Sequence, residues 1–144
     1  MNDKALKGSI TELKVATELL TRGYGVYSPV IQNGPVDCVI ETSRGFKKIQ
    51  IKRARKKNSV SNNYFVPIIA GRTRCNYGEF DIDYIIAEIN ERFFIMERSE
   101  FGNKKNQCLS INHCEGTWFK IPPPREPLFV VKDTEEGNQA SLLG

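Results

Sequence analysis

Apolar side chains recur at three- and four-residue intervals near the N-terminus, at Leu6, Ile10, Leu13, Ala16 and Leu20. That spacing predicts an amphipathic helix from Asp3 to about Arg22, with Gly23 as its stop. The period then shortens to two. "YGVYSPV" (24–30) and "VDCVIE" (36–41) read as strands separated by the turn residues "QNGP". "SRG" turns the chain into "FKKIQIKR" (46–53), which predicts a hairpin with 36–41. Residues 54–63 read as a basic, polar loop, and "YFVPII" (64–69) as a further strand. "FDIDYIIAEI" (80–89) and "ERFFIMER" (91–98) predict a second hairpin turning near Asn90. The middle of 100–117 reads as loop, and "TWFKIPPP" ends in prolines that cannot continue a sheet. One helix ahead of a group of strands defines a small α/β or α+β domain, expected over residues 1–132, with 133–144 as a polar tail.

Composition narrows this picture. The chain has 144 residues, 40% of them hydrophobic and 26% charged, which suits one soluble domain with a real core. No run approaches the ~18 apolar residues of a membrane span, and the N-terminal stretch lacks the h-region of a secretory signal. A cytoplasmic protein with no membrane partner is expected. The four cysteines, Cys38, Cys75, Cys108 and Cys114, show no CxxC spacing. Cys108, His113 and Cys114 invite a zinc reading, but their spacing is wrong for a knuckle and a fourth ligand is missing, so reduced structural thiols are expected.

The net charge of +4 says little, but its distribution says more. From Thr42 to Gly78 there are ten Lys and Arg and no acid. Such clustering is what a phosphate-tracking surface needs, because each neutralised phosphate releases counterions.

Four polar residues carry the candidate chemistry, although a solvated strand face or a local turn contact would account for some of them singly. On a helical projection Glu12 falls beside Ala5, Gly8, Ala16 and Leu19, away from the polar arc of Lys4, Lys7, Thr11, Lys14 and Glu18. A carboxylate facing the protein needs a cation, a metal or a proton. Asp37 enters a strand, where aspartate is a poor former. Gln50 and Lys52 project from one face of the next strand. Pairing 36–41 with 46–52 would set Asp37 on that same face, and a helix packed across it would add Glu12. Carboxylates with an amide oxygen suit Mg²⁺ or Mn²⁺, and a lysine beside them would stabilise a developing anion or hold water.

The order Glu12, then "PVD" ending in Asp37, then "QIK" ending in Lys52, resembles the PD-(D/E)XK nuclease superfamily. The resemblance is close over residues 4–53 and holds in outline beyond. It implies an α/β, restriction-endonuclease-like core, a mixed sheet with the leading helix packed on it. It also implies Glu12 and Asp37 as metal ligands together with the Ile51 carbonyl, and Lys52 as the residue that orients or activates water. Gln50 departs from the pattern, which has Glu or Asp there. An amide oxygen still ligates a hard cation but brings no charge. Within the superfamily the short length and the glutamine look most like its intron-encoded homing-endonuclease branch. That implies a Mg²⁺-dependent, sequence-specific endonuclease acting on double-stranded DNA as a homo-oligomer, a dimer at least and a tetramer on the branch's pattern. Lys47, Arg53, Arg55, Lys56 and Lys57 are the expected backbone contacts. Asn62, Asn63, Tyr64, Arg72 and Arg74 are candidates for groove readout. "RFFIM" and "PLFVV" read first as core strands, with an oligomer surface as the alternative for each. A Holliday-junction resolvase or restriction-type enzyme would share the site. A binding module with a decayed site, or a basic domain holding an acidic protein, would share the charge.

Overall fold

The computed structural model describes residues 2–32, 34–70, 75–77, 81–104 and 106–125. Helix α1 spans Asp3–Thr21. Its first turn is capped by the Asn2 side chain, which accepts the Ala5 N–H at 2.8 Å. Gly23, at φ 95°, ends it in a left-handed conformation that a side chain would strain.

A five-stranded mixed sheet follows, in the order β1-β2-β3-β8-β9. Its strands are β1 (Gly25–Tyr27), β2 (Cys38–Thr42), β3 (Gly45–Arg53), β8 (Tyr84–Ile89) and β9 (Arg92–Glu97). Both expected hairpins form: β2 pairs antiparallel with β3, and β8 with β9. Asn90 and Glu91 both take positive φ in the tight turn between β8 and β9, as a two-residue hairpin loop demands. The join between the hairpins is parallel, β3 beside β8. That explains why "YIIAEI" carries almost no alternation, since a strand inside a parallel pair is covered on both faces.

The crossover from β3 to β8 builds a second layer. Strands β4 (Arg55–Lys56) and β5 (Tyr64–Pro67) join β10 (Cys108–Ser110) in an antiparallel sheet, and β6 (Ile69–Ala70) pairs with β7 (Cys75–Asn76). Short helix α2 (Arg98–Phe101) and 3₁₀ turns at Asn112–Cys114 and Trp118–Lys120 complete the described chain. The stretch 100–117 therefore holds a strand where the sequence suggested only loop. The "RFFIM" segment is mostly interior strand, in line with its reading as core. "PLFVV" and the tail at 133–144 lie outside the described residues, as does the C-terminal end of the expected domain. Among the described residues no helix is long and apolar enough to cross a membrane.

Two cores result, one on each face of the main sheet. Val15 and Leu19 of α1 pack on Cys38, Ile40, Ile49, Ile51, Ile86 and Ile95. Tyr64, Val66, Ile68, Tyr77 and Ile111 of the second layer pack on Ile85, Ala87, Phe94 and Met96. Helix α1 therefore buries Thr11, Val15 and Leu19, whereas Leu6, Ile10, Leu13 and Leu20 are exposed. The apolar periodicity correctly marks a helix but names the wrong face as the core. Ile86, fully buried at the centre of the sheet, tests this layering. Ile86→Ala removes three methylene-sized groups and leaves a cavity, which costs about 2–5 kcal/mol. Urea unfolding should show the lower midpoint with an unchanged m-value.

Candidate active site

Strand β3 alternates between the two cores. Ile49 and Ile51 face α1, so Gln50 and Lys52 face the second layer. The register sets Cys38 opposite Ile49, and one residue earlier the Asp37 N–H donates to the Ile49 carbonyl at 2.9 Å. Asp37 thus stands opposite Gln50 and on the same face, as the hairpin reading required. There β2 ends, and residues 51–53 keep only their pairing to β8. The sheet opens along that edge.

The opening is filled by polar contacts. Asp37 Oδ2 accepts the Ile51 N–H at 2.7 Å and the Gln50 Nε2 at 2.7 Å. Gln50 Nε2 also donates to the Ile51 carbonyl at 3.1 Å. Gln50 is buried, and its Oε1 is the one enclosed side-chain polar atom among the described residues without a hydrogen-bond partner.

The helix does not cross this face, contrary to the sequence expectation. It packs on the other one, and Glu12 reaches the opening around the free edge of β3. A cleft of about 630 Å³ runs along that edge, lined by Gly8, Thr11 and Glu12 on one side and by Ile51, Lys52, Arg53 and Arg55 on the other. A second cleft, of about 330 Å³, places Glu12 with Asp37, Cys38 and Ile51. A Cβ added at Gly8 would meet nothing within 4 Å, so the larger cleft is open at that point.

Electrostatics mark the same spot. Burial raises the Asp37 carboxyl to about 6, with the Ile51 N–H opposing and the Glu12 charge adding to the rise. Burial lowers the Lys52 ammonium, with Asp37 opposing. The Lys52 Nζ lies 5.0 Å from the centre of the Tyr77 ring. Tyr77 is itself buried, and its hydroxyl is pushed to about 12. Nothing in the sequence marked Tyr77, because a lone tyrosine has no pattern and tertiary packing alone brings it to Lys52.

The expected DNA contacts divide. Arg53, Arg55, Lys56 and Lys57 are exposed beside the cleft, and the last three share a second hollow of about 440 Å³ with Phe65 and Cys108. Lys47 sits opposite Ile40, five residues back along β3 from Lys52, and is not brought to the site. Asn62 and Asn63 are exposed but tied to Asn112, which donates to the Asn62 carbonyl at 2.9 Å. Tyr64 is a correction: it is 4% exposed, packed on Phe94, and its hydroxyl accepts from Arg92 at 2.6 Å, so it does not read a groove. Arg72 and Arg74 lie outside the described residues. The set-aside zinc cluster also resolves. Glu100, not Cys108, joins His113 and Cys114, and the Lys120 ammonium binds both Glu100 oxygens at 2.8 Å. That is an ion pair with its cation already present.

A helix-borne acid, a strand-end aspartate and a lysine thus meet at the open edge of a mixed sheet. The chain matches the family described as PD-(D/E)XK endonuclease over residues 1–113, and it belongs to that family. It is 27% identical to Protein 5.3 of Escherichia phage T7 over 109 residues, which cover 76% of this chain and 92% of the phage protein. Among solved structures it is similar to the bacterial homing endonuclease I-Ssp6803I, with TM-score 0.64 and 19% identity, covering 82% of this chain and 91% of that one. That likeness shows the same mixed-sheet α/β fold.

Enzymes of this family typically use divalent metal ions, and the residues at the opening fit one. Two carboxylates, a main-chain carbonyl and an amide form a hard-oxygen donor set. The orphaned Gln50 Oε1 supports the fit. The two ends of an amide differ only by a half-turn, and that turn would bring Oε1 to the Asp37 and Ile51 oxygens. Three such oxygens are relieved by a cation or by a proton on Asp37, and the amide N–H₂ now stands between them.

A prediction follows from Asp37. Its folded carboxyl titrates above the ordinary 3.8, so the metal-free fold holds more protons than the unfolded chain between about 4 and 6. The stabilising protonation is complete below 4 and is lost as pH rises through 6. Metal-free protein at pH 7.5 therefore carries a penalty of ~1–3 kcal/mol. Asp37→Asn should raise the metal-free melting temperature by several degrees at pH 7.5 and much less at pH 4.5.

Proposed function

We infer that the protein is a divalent-metal-dependent endonuclease that cleaves both strands of duplex DNA. The observation that carries this is the buried Asp37–Gln50–Ile51 oxygen set with Glu12 and Lys52 at its mouth, opening into a cleft whose far wall is cationic. Mg²⁺ or Mn²⁺ held by Glu12, Asp37 and the Ile51 carbonyl, with Gln50 completing the set, supplies charge neutralisation on a phosphate oxygen and a more acidic water.

The chain's own residues do the rest. Arg53 and Arg55 seat a backbone phosphate across the cleft from Glu12, and Lys56 and Lys57 extend the contact along the strand. Lys52 is held at the opening by the Tyr77 ring and by the Asp37 charge. From there its nitrogen orients the water for in-line attack on phosphorus, and the burial that lowers its pKa shifts it toward the neutral amine, the form able to take the proton. Burial of Gln50 keeps bulk water from the inner oxygens. Site-specific cutting of the homing kind is supported by the likeness to a bacterial homing endonuclease and by the long basic stretch from Thr42 to Gly78. Two cuts on opposite strands need two sites, so a homo-oligomer is expected, a dimer at the least or a tetramer built as a dimer of dimers. The cytoplasm is the expected compartment, since duplex DNA is the substrate.

Plasmid cleavage tests the reading. Wild type should nick and linearise DNA with Mg²⁺ or Mn²⁺ and not with EDTA. Lys52→Ala should lower the rate roughly 10²–10⁴-fold while still shifting DNA in a gel. No cleavage by wild type under any metal would leave a binding module. Faster cutting of four-way junctions than of duplex would point to a resolvase.

The basic strip makes a separate prediction. Lys56→Ala with Lys57→Ala should weaken binding about equally on all sequences and reduce the slope of log K against log salt by about 2. An unchanged slope would place the DNA elsewhere.

A further inference from the structure

The inward line of α1 runs past the edge of the sheet. Thr11, Val15 and Leu19 are buried along one direction of the helix. Projected at about 100° per residue, Gly8 falls about 20° from that direction, one turn nearer the N-terminus. The position faces inward, yet beneath it lies the open cleft of about 630 Å³ that Glu12, Ile51 and Lys52 also line. A glycine inside a helix is less stable than an alanine, because it has more backbone freedom to lose and no side chain to pack. Nothing within the described chain calls for one here. Gly8 is not among the glycines with positive φ, which are Gly23, Gly45 and Gly116. A Cβ built on it would meet no atom within 4 Å, so no neighbouring element needs the room. A side chain that continued the Val15–Leu19 line would suit the fold better than none.

We propose that Gly8 holds open the place where the sugar–phosphate backbone of the strand to be cut lies against α1. The inference rests on the nuclease reading and deepens it, by assigning the near wall of the cleft. The charges around the cleft argue for this occupant. Lys4 lies one turn before Gly8 on the same inward line, exposed and with no ion pair among the described residues. Arg53 and Arg55 stand on the opposite wall, and neither pairs with an acid among the described residues. Arg55 bonds instead to the Cys108 sulfur at 3.4 Å. The acids on the cleft are Asp3, already paired with Lys7 at 3.2 Å, and Glu12, assigned to the metal. Unpaired cations thus face each other across a slot, which suits a polyanion passing between them. A glycine lets such a ligand come against the helix main chain itself. Glu12 follows on the next turn, so the depth allowed at Gly8 sets how far the phosphorus lies from Glu12 and Lys52.

The test compares Gly8→Ala and Gly8→Leu with wild type in the full chain. Without DNA or metal, Gly8→Ala should melt about 2–4 °C higher, because alanine suits a helix interior better. With Mg²⁺ and supercoiled plasmid both should nick more slowly, Gly8→Ala several-fold and Gly8→Leu roughly 10²-fold. Binding of a labelled random-sequence duplex in EDTA, read by fluorescence anisotropy, should weaken in the same order. Mn²⁺ affinity by calorimetry should keep its wild-type value, since the added side chain displaces DNA and not Glu12. Thr17→Leu, exposed on the same helix away from the cleft, should bind and nick as wild type does. Gly8 variants that bind and nick like wild type overturn the inference. So does a Gly8→Ala that melts lower, which would make the glycine a need of the fold. Loss of nicking matched by loss of Mn²⁺ affinity overturns it as well, by placing the effect on the metal site. Should Gly8→Leu fail to fold, Gly8→Ala carries the comparison. Wild type that nicks no DNA overturns the nuclease reading instead, and the anisotropy comparison then decides this inference alone.

Discussion

One carboxylate oxygen organises the open edge of the sheet. Asp37 Oδ2 accepts the Ile51 N–H and the Gln50 amide, both at 2.7 Å, where β2 ends and β3 continues. A strand that loses its neighbour must satisfy its backbone some other way, and here a side chain takes over from the departing strand. The same contact fixes the rotamer of Gln50, aligns the Ile51 carbonyl and leaves the far side of Lys52 to Tyr77. The carboxylate is only partly compensated, since burial and Glu12 both disfavour its charge. The site thus stores an unfavourable charge at the point where a cation would relieve it, a common trade of stability for function.

The contrast with Glu100 is instructive. That carboxylate is also withdrawn from water, yet its capping-box contact with the Glu97 N–H and two bonds from Lys120 hold its proton affinity below the ordinary value despite burial. It ties α2 to the 3₁₀ turn at Trp118–Lys120. Cys114 beside it is raised to about 11, mainly by burial, which keeps the thiol protonated and inert. Two partly buried acids in one small domain are thus settled oppositely. Glu100 has its counterion in the chain, whereas Asp37 has hydrogen bonds but, among the described residues, no ion pair.

Much of the frame was legible in the chain. Period-two alternation in "FKKIQIKR" placed Gln50 and Lys52 on one face, and the "QNGP" turn put Asp37 opposite them, because hairpin register is local. Helix α1 was legible as a helix but not in its orientation. It has two apolar stripes, and periodicity alone cannot say which meets the sheet. That ambiguity led to the expectation that α1 would cover the Gln50 face. Glu12 could still be singled out, since it lies between the two stripes and is half-buried under either choice. Tyr64 was misread for a similar reason: an aromatic beside two asparagines in a basic region reads as a surface residue, and only the packing of β5 on Phe94 removes it to the interior. The parallel join of β3 to β8 was not legible, because it pairs residues more than thirty positions apart across an irregular crossover.

The glutamine has a consequence for how the site tolerates being empty. A glutamate at position 50 would set a second carboxylate against Asp37, with Glu12 near both, in a space already costly for one charge. The amide instead donates to Asp37 and to the Ile51 carbonyl, so the metal-free fold keeps those oxygens from repelling each other. The cost is the orphaned Oε1 on its other end, a buried acceptor without a donor, worth about 1–3 kcal/mol. A half-turn of the amide exchanges the two arrangements: one end suits the empty site, the other a cation. On the proposed reading, an amide at position 50 leaves an oxygen that a cation could use while lessening the self-repulsion that an all-carboxylate site would impose on the fold.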